Sequence, residues 1–583
     1  MIRPRTEWLL PAPLDAPPPL AAASQAVATL LARRGILTDD QLARFRHPGP
    51  ADLHPLALMT DAAAAVDRIE AAVAGGERMA IWGDYDADGT TAVAIWVHAL
   101  RALGGDPIRY IPSRLDEGYG LSVVGLDALA DAGVRLVVTC DCGVGNRAEV
   151  AHAAGRGMDV VVTDHHVPPP ELPDAVAVVD PHRADCAYPN PDLTGAGLAY
   201  RLATALLARR GVETADLAAL AAIGMVADMA PMLGECRAIV TMGLAELATT
   251  THPGLRGLLE RACEDPSRPT ARDLGFGVVP RLNAAGRLAD AELALDLLIT
   301  TDPAHAAHLL DALETIHLER RTLTAQAVDA ARRQAAGMDG SGPLVVRDDS
   351  WPPGLLGLVA GRLADELARP VAAATRLDAE VRGSVRAPED FDVTVGLSAC
   401  AAYLSKLGGH VAAGGFSAPL AAWDGFVTAF SALPRPYPPD RALAPVRAGQ
   451  LTVDLVLSAR HLGWPLLEEL AGLAPYGPGH PEPVLAVTGL VVGDARRVGV
   501  DDGHVSFRLR RGYQTLDAIA FGAGLDRDLP EPETALDVVG YLERRTFDGE
   551  PRLQLRVLDY ATADVSPLAA RRVAPTAAAV ASP

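Results

Sequence analysis

Two short acidic strings, 80 positions apart, are the residues of this chain best suited to chemistry. The first, GDYDADGTT from position 83, carries carboxylates at alternate positions: Asp84, Asp86 and Asp88. The second, TDHH from position 163, ends in His165 and His166, and each string follows a run of β-favouring apolar residues. Carboxylates this close together stay buried only if a cation neutralises them, because an unpaired buried charge costs several kcal/mol. The strings therefore predict a divalent metal site. Such sites commonly catalyse reactions of phosphate groups.

Two further acids extend this candidate site. Asp141 ends another apolar run, where it would also serve as a helix N-cap. Asp228 lies in the apolar segment GMVAD, where a buried acid needs a partner, so a ligand role is the favoured interpretation. Imidazole together with carboxylate favours manganese or a similar ion over calcium. An EF-hand calcium loop is excluded, because position twelve from Asp84 is Ile95 and not glutamate.

The elements that must position these residues are strands of a parallel sheet. Strand-length apolar runs at 79–82, 136–139, 160–163 and 176–179 alternate with helical stretches such as 91–103 and 146–154. This alternation predicts a doubly wound α/β sheet. Ligands of such sheets bind outside the carboxyl ends of the strands, where all four runs end in polar residues. The candidate ligands are therefore expected at one edge of one sheet.

The remaining sequence predicts further domains. A second α/β pattern opens at Leu344, and six strand-like runs between 451 and 558 indicate a small β-barrel. The predicted organisation is a helical preface (1–55), a first α/β domain (56–300), a connecting helix (301–340), a second α/β domain (341–433), a proline-rich linker (434–447), a barrel (448–563) and a disordered tail (564–583).

Charge and composition restrict the function classes. The net charge of −21 argues against a general nucleic-acid-binding surface, yet Lys406 is the only lysine, so phosphate contacts must come from arginines or backbone amides. Apolar runs are interrupted well short of the ~20 residues that a membrane span needs. The N-terminal sequence does not fit a signal peptide. We expect no membrane association, a cytoplasmic location and free thiols on the six cysteines.

The motifs together resemble a known family. GDYDADGTT, DCG (141–143), TDHH and GMVAD, in this order and spacing, look like the four motifs of the DHH phosphoesterase superfamily. The strings YIPSR (110–114) with EGYGLS (117–122), PRLNAAGRL (280–288), GGH (408–410) and PYGPGHPEP (475–483) are similar to those of the RecJ single-strand exonucleases in particular. The resemblance implies a DHH domain, a smaller α/β DHH-associated domain joined to it by a long helix, and an OB-fold barrel.

The resemblance also implies roles for individual residues. The implied metal ligands, for one or two Mn²⁺ or Mg²⁺ ions, are Asp84, Asp86, Asp88, Asp141, His165 and Asp228. His166 would face the scissile phosphate, and Arg287 would stabilise its charge unless it instead pairs with Asp290. The residues implied in binding DNA or its 5′-phosphate are Arg114, Arg382, Ser384, Arg386, Gly409 and His410. For the GGH string, the alternative is a tight turn with His410 packed nearby.

The expected function is metal-dependent 5′→3′ hydrolysis of single-stranded DNA to mononucleotides in DNA repair and recombination. A helicase and a single-strand-binding protein are the expected partners. The alternatives are a DHH phosphatase acting on nucleotides or short oligonucleotides, and a non-catalytic DHH scaffold in replication. In the barrel, the candidate platforms for stacking of bases are Phe507, Tyr513, Phe521 and Tyr541, although we expect most of them to be core residues.

Overall fold

The chain folds into two compact units, each described here by itself. The computed structural model describes residues 1–14, 18–114, 117–338, 340, 342–437, 449–499, 502–524, 528–547 and 549–569. One unit, the α/β unit, is formed by residues 49–445 and 477–479. The other, the barrel unit, is formed by residues 1–48, 446–476 and 480–583.

The helices and strands are numbered in chain order. The helices are α1 Gln25–Arg33, α2 Asp39–Arg46, α3 Ala62–Gly75, α4 Ala87–Ala102, α5 Val123–Asp131, α6 Arg147–Gly155, α7 Gly195–Arg210, α8 Leu217–Ala227, α9 Gly234–Thr249, α10 Pro253–Ala262, α11 Ala271–Asp273, α12 Val279–Leu288, α13 Glu292–Ile299, α14 Pro303–Ala336, α15 Leu356–Leu367, α16 Val393–Ala399, α17 Trp423–Ser431 and α18 Trp464–Ala471. The strands are β1 Glu7–Leu9, β2 Met79–Trp82, β3 Ile108–Tyr110, β4 Leu136–Thr139, β5 Asp159–Thr163, β6 Ala177–Val179, β7 Leu344–Arg347, β8 Val371–Leu377, β9 Glu380–Arg386, β10 Lys406–Gly409, β11 Ala413–Pro419, β12 Gln450–Thr452, β13 Leu455–Ser458, β14 Leu485–Val498, β15 His504–Arg511, β16 Gln514–Ala520, β17 Ala535–Phe547 and β18 Glu550–Thr562.

The first sheet of the α/β unit is parallel throughout, with the strand order β3-β2-β4-β5-β6. The strands β2 and β4 are buried on both faces, which explains their continuous apolar sequences MAIW and LVVT. Because all five strands run the same way, their carboxyl ends share one edge. The two acidic strings and Asp141 follow β2, β5 and β4 at that edge.

The long helix α14 joins two hydrophobic cores. Its first half packs into the core of the first domain through residues such as Leu309 and Leu313. Its second half contributes Val328 and Ala331 to the core beneath the second sheet. That second sheet has the order β10-β11-β9-β8-β7 and is antiparallel except for the pair β7 and β8. The predicted pair of α/β domains connected by a helix is confirmed.

The barrel unit contains a closed sheet, in which β14, β15, β16, β18 and β17 pair in turn and β17 pairs back to β14. Alternate residues of the strands face its core, which includes Phe507 packed edge-on against Tyr560. The predicted barrel domain is confirmed. Phe507 is therefore a core residue, whereas Tyr513 and Phe521 are exposed.

The N-terminal segment differs from the predicted helical preface. It begins with the strand β1, which pairs in parallel with β12, and it belongs to the barrel unit. The buried carboxylate of Asp559 accepts hydrogen bonds from the backbone amides of Arg5 and Thr6 and from the indole of Trp8. A buried carboxylate needs several donors, and this chain segment supplies them. Sequence pattern alone could not show this pairing, because the partners are more than 550 positions apart.

The predicted linker and tail also differ in part from the structure. Tyr437, assigned to the linker, stacks on Phe391 of the second α/β domain, while residues 438–447 lie outside the described residues. Leu568, assigned to the tail, is fully buried in a small cluster with Trp8, while residues 570–583 lie outside the described residues. Within the described chain, no helix has the length and apolarity needed to cross a membrane. All six cysteines are free thiols.

We predict that Gly224→Ala destabilises the α/β unit. A Cβ at this position of α8 would lie 2.5 Å from the Asp88 carboxylate, and closer still to the Thr91 hydroxyl and the Ala196 methyl group. Overpacking of this kind costs about 1–3 kcal/mol. The measurement is urea-induced unfolding of the full chain.

The matched control is Gly275→Ala, whose Cβ would meet no atom closer than Val226 at 3.5 Å. This control should unfold like the wild type. Equal stability of the two variants would contradict the close approach of α8 to Asp88.

Candidate metal centre

The first acidic string forms the turn between β2 and α4. Asp86 is the N-cap of α4, and its carboxylate accepts hydrogen bonds from the amides of Asp88 and Gly89 at 3.0 and 3.1 Å. This is the usual capping geometry, and the N-terminal end of the helix dipole favours the negative charge. Asp84 is 5% exposed, and its Oδ1 atom is buried without a hydrogen-bond partner among the described residues. Burial and the neighbouring Asp86 raise the pKa of Asp84 well above its usual value.

Asp88 is anchored to the first turn of a second helix. Its carboxylate accepts the Thr194 hydroxyl and the Gly195 amide, both at 2.7 Å, and the Ala196 amide at 3.1 Å. Thr194 is the N-cap of α7, so three donors from one helix start converge on this acid. Even so, burial raises the pKa of Asp88 to about 7. The carboxylate is held in place but its charge is not fully compensated.

Asp141, His165 and Asp228 meet beside this turn. The Nε2 atom of His165 lies 2.9 Å from Asp141 Oδ1 and 3.6 Å from Asp228 Oδ2. Burial, followed by the charges of Asp88, Asp86 and Asp84, raises the pKa of Asp141 well above its usual value. The alternative in which Asp141 is a helix N-cap does not hold, because α6 begins only at Arg147 and its N-cap position is Asn146.

His166 is held from its Nδ1 side. Nδ1 lies 2.8 Å from Asp164 Oδ1 and 3.0 Å from the hydroxyl of Tyr119, which also donates to the backbone oxygen of Asp141. Although burial alone would lower it, the hydrogen bond to Asp164 raises the pKa of His166. Asp164 itself accepts the Val144 amide at 2.9 Å. Because Nδ1 is engaged, Nε2 is the nitrogen that can meet a substrate.

The arrangement of these donors fits divalent metal. Donor atoms within 4.8 Å of one another form three overlapping groups: Asp84 with Asp86 and Asp141, Asp88 with His165 and Asp228, and Asp141 with His165 and His166. Three of the acids are almost fully buried and have raised pKa values. An uncompensated cluster of this kind is expected to require a cation, and mixed oxygen and imidazole donors suit Mn²⁺. The structure therefore brings all six sequence-predicted ligands together.

A group of arginines lies next to the acidic turn. Arg287 donates to the backbone oxygen of Gly354 at 3.1 Å, and burial together with the charges of Arg114 and Arg320 lowers the pKa of Arg287 to about 10. The Arg114 guanidinium lies 4.9 Å from the ring centroid of Tyr85. The alternative pairing of Arg287 with Asp290 does not occur within the described residues. The carboxylate of Asp290 instead accepts the amide of Glu292.

The second sheet contributes the remaining predicted residues. Arg382, Ser384 and Arg386 occupy alternate positions of β9 and thus share its half-buried face. Burial and the charge of Arg114 lower the pKa of Arg386, which brings this face into the arginine group. Arg382 is placed with the other two by its position in the strand.

Gly409 and His410 form the hairpin between β10 and β11. Gly409 has φ +145°, and a Cβ there would collide with the backbone of Ala413 and Gly414. The turn therefore requires glycine at this position. The ring of His410 lies 5.9 Å from that of His166, which places it beside the metal-centre residues.

Some residues that shape the site were not predicted. Thr194 gives no signal beyond the ordinary N-cap pattern, and its partner Asp88 lies 106 positions away. Asn283 lies in the PRLNAAGRL string, and its side-chain oxygen accepts the Ala87 amide at 2.8 Å, which fixes the acidic turn. Tyr119 lies in the EGYGLS string, but only the structure shows that its hydroxyl links Asp141 to His166.

Comparison with known proteins gives matches for both units. Residues 78–225 match the family model described as "DHH family, N-terminal domain", and residues 453–559 match the model described as "RecJ OB domain". A Bacillus subtilis protein named single-stranded-DNA-specific exonuclease RecJ is 32% identical over 543 residues, covering 92% of this chain and 68% of its own.

Solved structures agree with these matches. The crystal structure of RecJ from Thermus thermophilus in complex with Mn²⁺ superposes with a TM-score of 0.77 at 30% identity and covers 96% of this chain and 80% of its own. The corresponding Mg²⁺ complex superposes with a TM-score of 0.72 at 29% identity and covers 96% and 79%.

We predict that Asp141→Asn stabilises the metal-free protein and weakens its response to metal. The substitution removes one of several like charges buried together, so the melting temperature in EDTA should rise by about 2 °C or more. Adding Mn²⁺ should raise the melting temperature of the wild type clearly and that of the variant much less. Differential scanning calorimetry measures both effects.

The control is Asp174→Asn, an exposed acid outside the site, which should behave like the wild type. An equal Mn²⁺-induced shift in wild type and Asp141→Asn would argue against a metal centre at Asp141.

Proposed function

Because the chain belongs to the RecJ family of DHH phosphoesterases, we propose that it is a metal-dependent exonuclease that hydrolyses single-stranded DNA from the 5′ end to mononucleotides. The observation that carries this proposal is the convergence of five acids and one histidine at one sheet edge, next to the arginine group. The acids and the histidine suit metal-dependent hydrolysis of a phosphodiester. The arginine group suits binding of a terminal phosphate.

The metal centre would be formed by Asp84, Asp86, Asp88, Asp141, His165 and Asp228, holding Mn²⁺ or Mg²⁺. When bound, such an ion lowers the pKa of water and neutralises charge on the reacting oxygens. The protein's part is to fix the ligands before substrate arrives. The amides at the start of α7 do so for Asp88, and the contact with His165 does so for Asp141.

His166 and Arg287 would act on the scissile phosphate. Asp164 and Tyr119 hold Nδ1 of His166, so its Nε2 is directed to a non-bridging phosphate oxygen. Arg287 is buried beside the acidic turn, where a guanidinium interacts strongly with developing negative charge because solvent screening is weak. Neither His166 nor Arg287 would need to rearrange when negative charge develops on the phosphate.

Arg114, Ser384 and Arg386 would bind the 5′-terminal phosphate, with Arg382 and the Gly409–His410 hairpin alongside. Among the described residues, neither Arg114 nor Arg386 forms an ion pair, so both guanidinium groups remain available for an anion. A pocket that must hold a free terminal phosphate gives directionality, because an internal position of the strand cannot fill it in the same way. This supports the 5′→3′ direction.

The rival functions fit the chain less well. A phosphatase for short substrates has no evident use for the OB-fold barrel, and a non-catalytic scaffold has no need to retain the complete ligand set. We further propose that the protein acts in the cytoplasm in DNA repair and recombination. A helicase would supply its single strands, and a single-strand-binding protein would coat them.

The proposed function predicts release of labelled mononucleotide when a single strand carrying a 5′ label is incubated with the protein and Mn²⁺. His165→Ala should reduce turnover at least ~10³-fold, on the order expected when a metal site is dismantled, while leaving DNA binding measurable. Chromatographic analysis of products over time is the measurement. A 3′-labelled strand that lost its label first would refute the direction, and full activity of His165→Ala would refute the ligand assignment.

A second prediction concerns the 5′-phosphate. Arg386→Gln should lower kcat/KM for 5′-phosphorylated strands by roughly 10- to 100-fold, the value of one charge-assisted hydrogen bond, and should affect 5′-hydroxyl strands far less. The control is Arg376→Gln, which removes an exposed arginine from the neighbouring strand β8. Equal losses on both kinds of strand would contradict a role of Arg386 at the terminal phosphate.

A further inference from the structure

The connection between β3 and α5 carries two residues that the proposed function uses. Arg114 belongs to the arginine group, and its guanidinium lies 4.9 Å from the ring centroid of Tyr85. Tyr119 follows in the same connection, and its hydroxyl lies 3.0 Å from Nδ1 of His166. The first residue would bind the terminal phosphate, and the second supports the histidine at the scissile phosphate. Their relative position therefore matters for the reaction.

Glu117 lies between these two residues in the sequence, and its carboxylate accepts three hydrogen bonds. Its Oε1 atom accepts the backbone amide of Ser113 at 3.0 Å. Its Oε2 atom accepts the hydroxyl of Tyr110 at 2.8 Å and the hydroxyl of Ser122 at 2.6 Å. Among the described residues Glu117 forms no ion pair, so these hydrogen bonds are what holds the carboxylate in place.

The Tyr110 hydroxyl connects Glu117 to the parallel sheet. Tyr110 is the last residue of β3, and its ring is stacked on that of Trp82 with the centroids 4.0 Å apart. Trp82 ends β2, directly before the acidic string, and it is fully buried. Because a fully buried ring has no free space to shift in a close-packed core, this contact is a rigid support for Glu117.

The other two donors lie on either side of Glu117 in the connection. Ser113 directly precedes Arg114, so the hydrogen bond from its amide fixes the backbone from which Arg114 extends. Ser122 is the N-cap of α5, and its hydrogen bond fixes the end of the connection that contains Tyr119. One carboxylate therefore holds both sides of the connection against the sheet.

Apolar packing contributes little to the shape of the connection around Glu117. Ser113 and Tyr119 are exposed, and Arg114 and Glu117 are half-buried. A segment with few buried apolar contacts keeps one conformation mainly through its hydrogen bonds. Loss of the Glu117 carboxylate is therefore expected to loosen Arg114 and Tyr119 relative to each other without unfolding the α/β unit.

We propose that Glu117 is a positioning residue that couples binding of the 5′-terminal phosphate to the placement of His166 at the scissile phosphate. The inference rests on the proposed function and deepens it. A terminal phosphate that binds Arg114 would fix the Ser113 side of the connection, and Glu117 would transmit this order to Tyr119. A strand with a terminal phosphate is then cleaved faster as well as bound more tightly.

The test compares the first cleavage of one strand that begins with either a 5′-phosphate or a 5′-hydroxyl group, in single turnover with saturating full-length protein and Mn²⁺. Only the first cleavage is compared, because later cleavages act on strand ends that the enzyme has made. The wild type should cleave the phosphorylated strand faster. Glu117→Ala should slow this cleavage roughly 10- to 100-fold, as expected when reacting groups are misplaced, and should slow that of the hydroxyl strand far less.

Glu117→Gln is the rescue variant. Its amide oxygen can accept the Ser113 amide, and its amide nitrogen can donate to the hydroxyl oxygens of Tyr110 and Ser122. It should keep most of the wild-type rate on both strands. The matched control is Asp131→Ala, which removes an exposed acid from the last position of α5 and should behave like the wild type.

A milder variant tests the same link if thermal unfolding shows that Glu117→Ala does not fold. Tyr110→Phe removes one of the three hydrogen bonds and keeps the ring that stacks on Trp82. It should slow cleavage of the phosphorylated strand a few-fold and leave that of the hydroxyl strand nearly unchanged.

The outcomes separate this proposal from the proposed function. Wild-type protein that cleaves neither strand would refute the proposed function. If the wild type cleaves both strands, equal slowing of the two by Glu117→Ala would overturn the coupling, because a merely structural role affects both alike. An unchanged rate in Glu117→Ala would also overturn it. So would equal losses in Glu117→Ala and Glu117→Gln, because the charge of Glu117 and not its hydrogen bonds would then be the cause.

Discussion

The burial of several like charges at one sheet edge is the constraint on which the rest of the α/β unit depends. Asp84, Asp88 and Asp141 are each at most 5% exposed, and burial raises the pKa of all three. Repulsion among carboxylates in a medium of low polarizability would push them apart or protonate them. The fold must therefore hold them mechanically and leave room for a cation. Both requirements are met by the loops that follow β2 and β4.

Backbone amides at the N-termini of two helices hold two of these carboxylates in place. The amides at the beginning of α4 bind Asp86, and those at the beginning of α7 bind Asp88, so two helix dipoles direct their positive ends to the acids. Close packing is the other condition, because Gly224 of α8 leaves no space between the helices for a Cβ. Glycine at position 224 is thus a requirement of the packing around Asp88.

The sequence predicted those parts of the molecule that depend on local periodicity. The strands β2 and β4 coincide with their predicted ranges, because a strand buried on both faces is an unbroken apolar run. The positions of the candidate ligands at strand ends also followed from this pattern, except for Asp228, which lies at the end of α8. Contacts over long sequence distances were not predictable, and the binding of Asp559 by the N-terminal segment is the clearest example. For the same reason, the role of Asn283 in fixing the acidic turn was missed although its motif was recognised.

In the proposed function, the positions of the two kinds of charge around the site would determine which phosphate is hydrolysed. Carboxylates that attract a cation lie beside arginines that attract an anion, and Arg287 interacts electrostatically with both Asp86 and the other arginines. A phosphodiester can approach the acids only through the cation they hold, whereas a terminal phosphate can bind the arginines directly. Because arginine remains charged even when burial lowers its pKa, this division does not depend on titration near neutral pH. In the proposed function, the arginines would therefore hold the terminal phosphate while the acids and their cation act on the phosphodiester next to it.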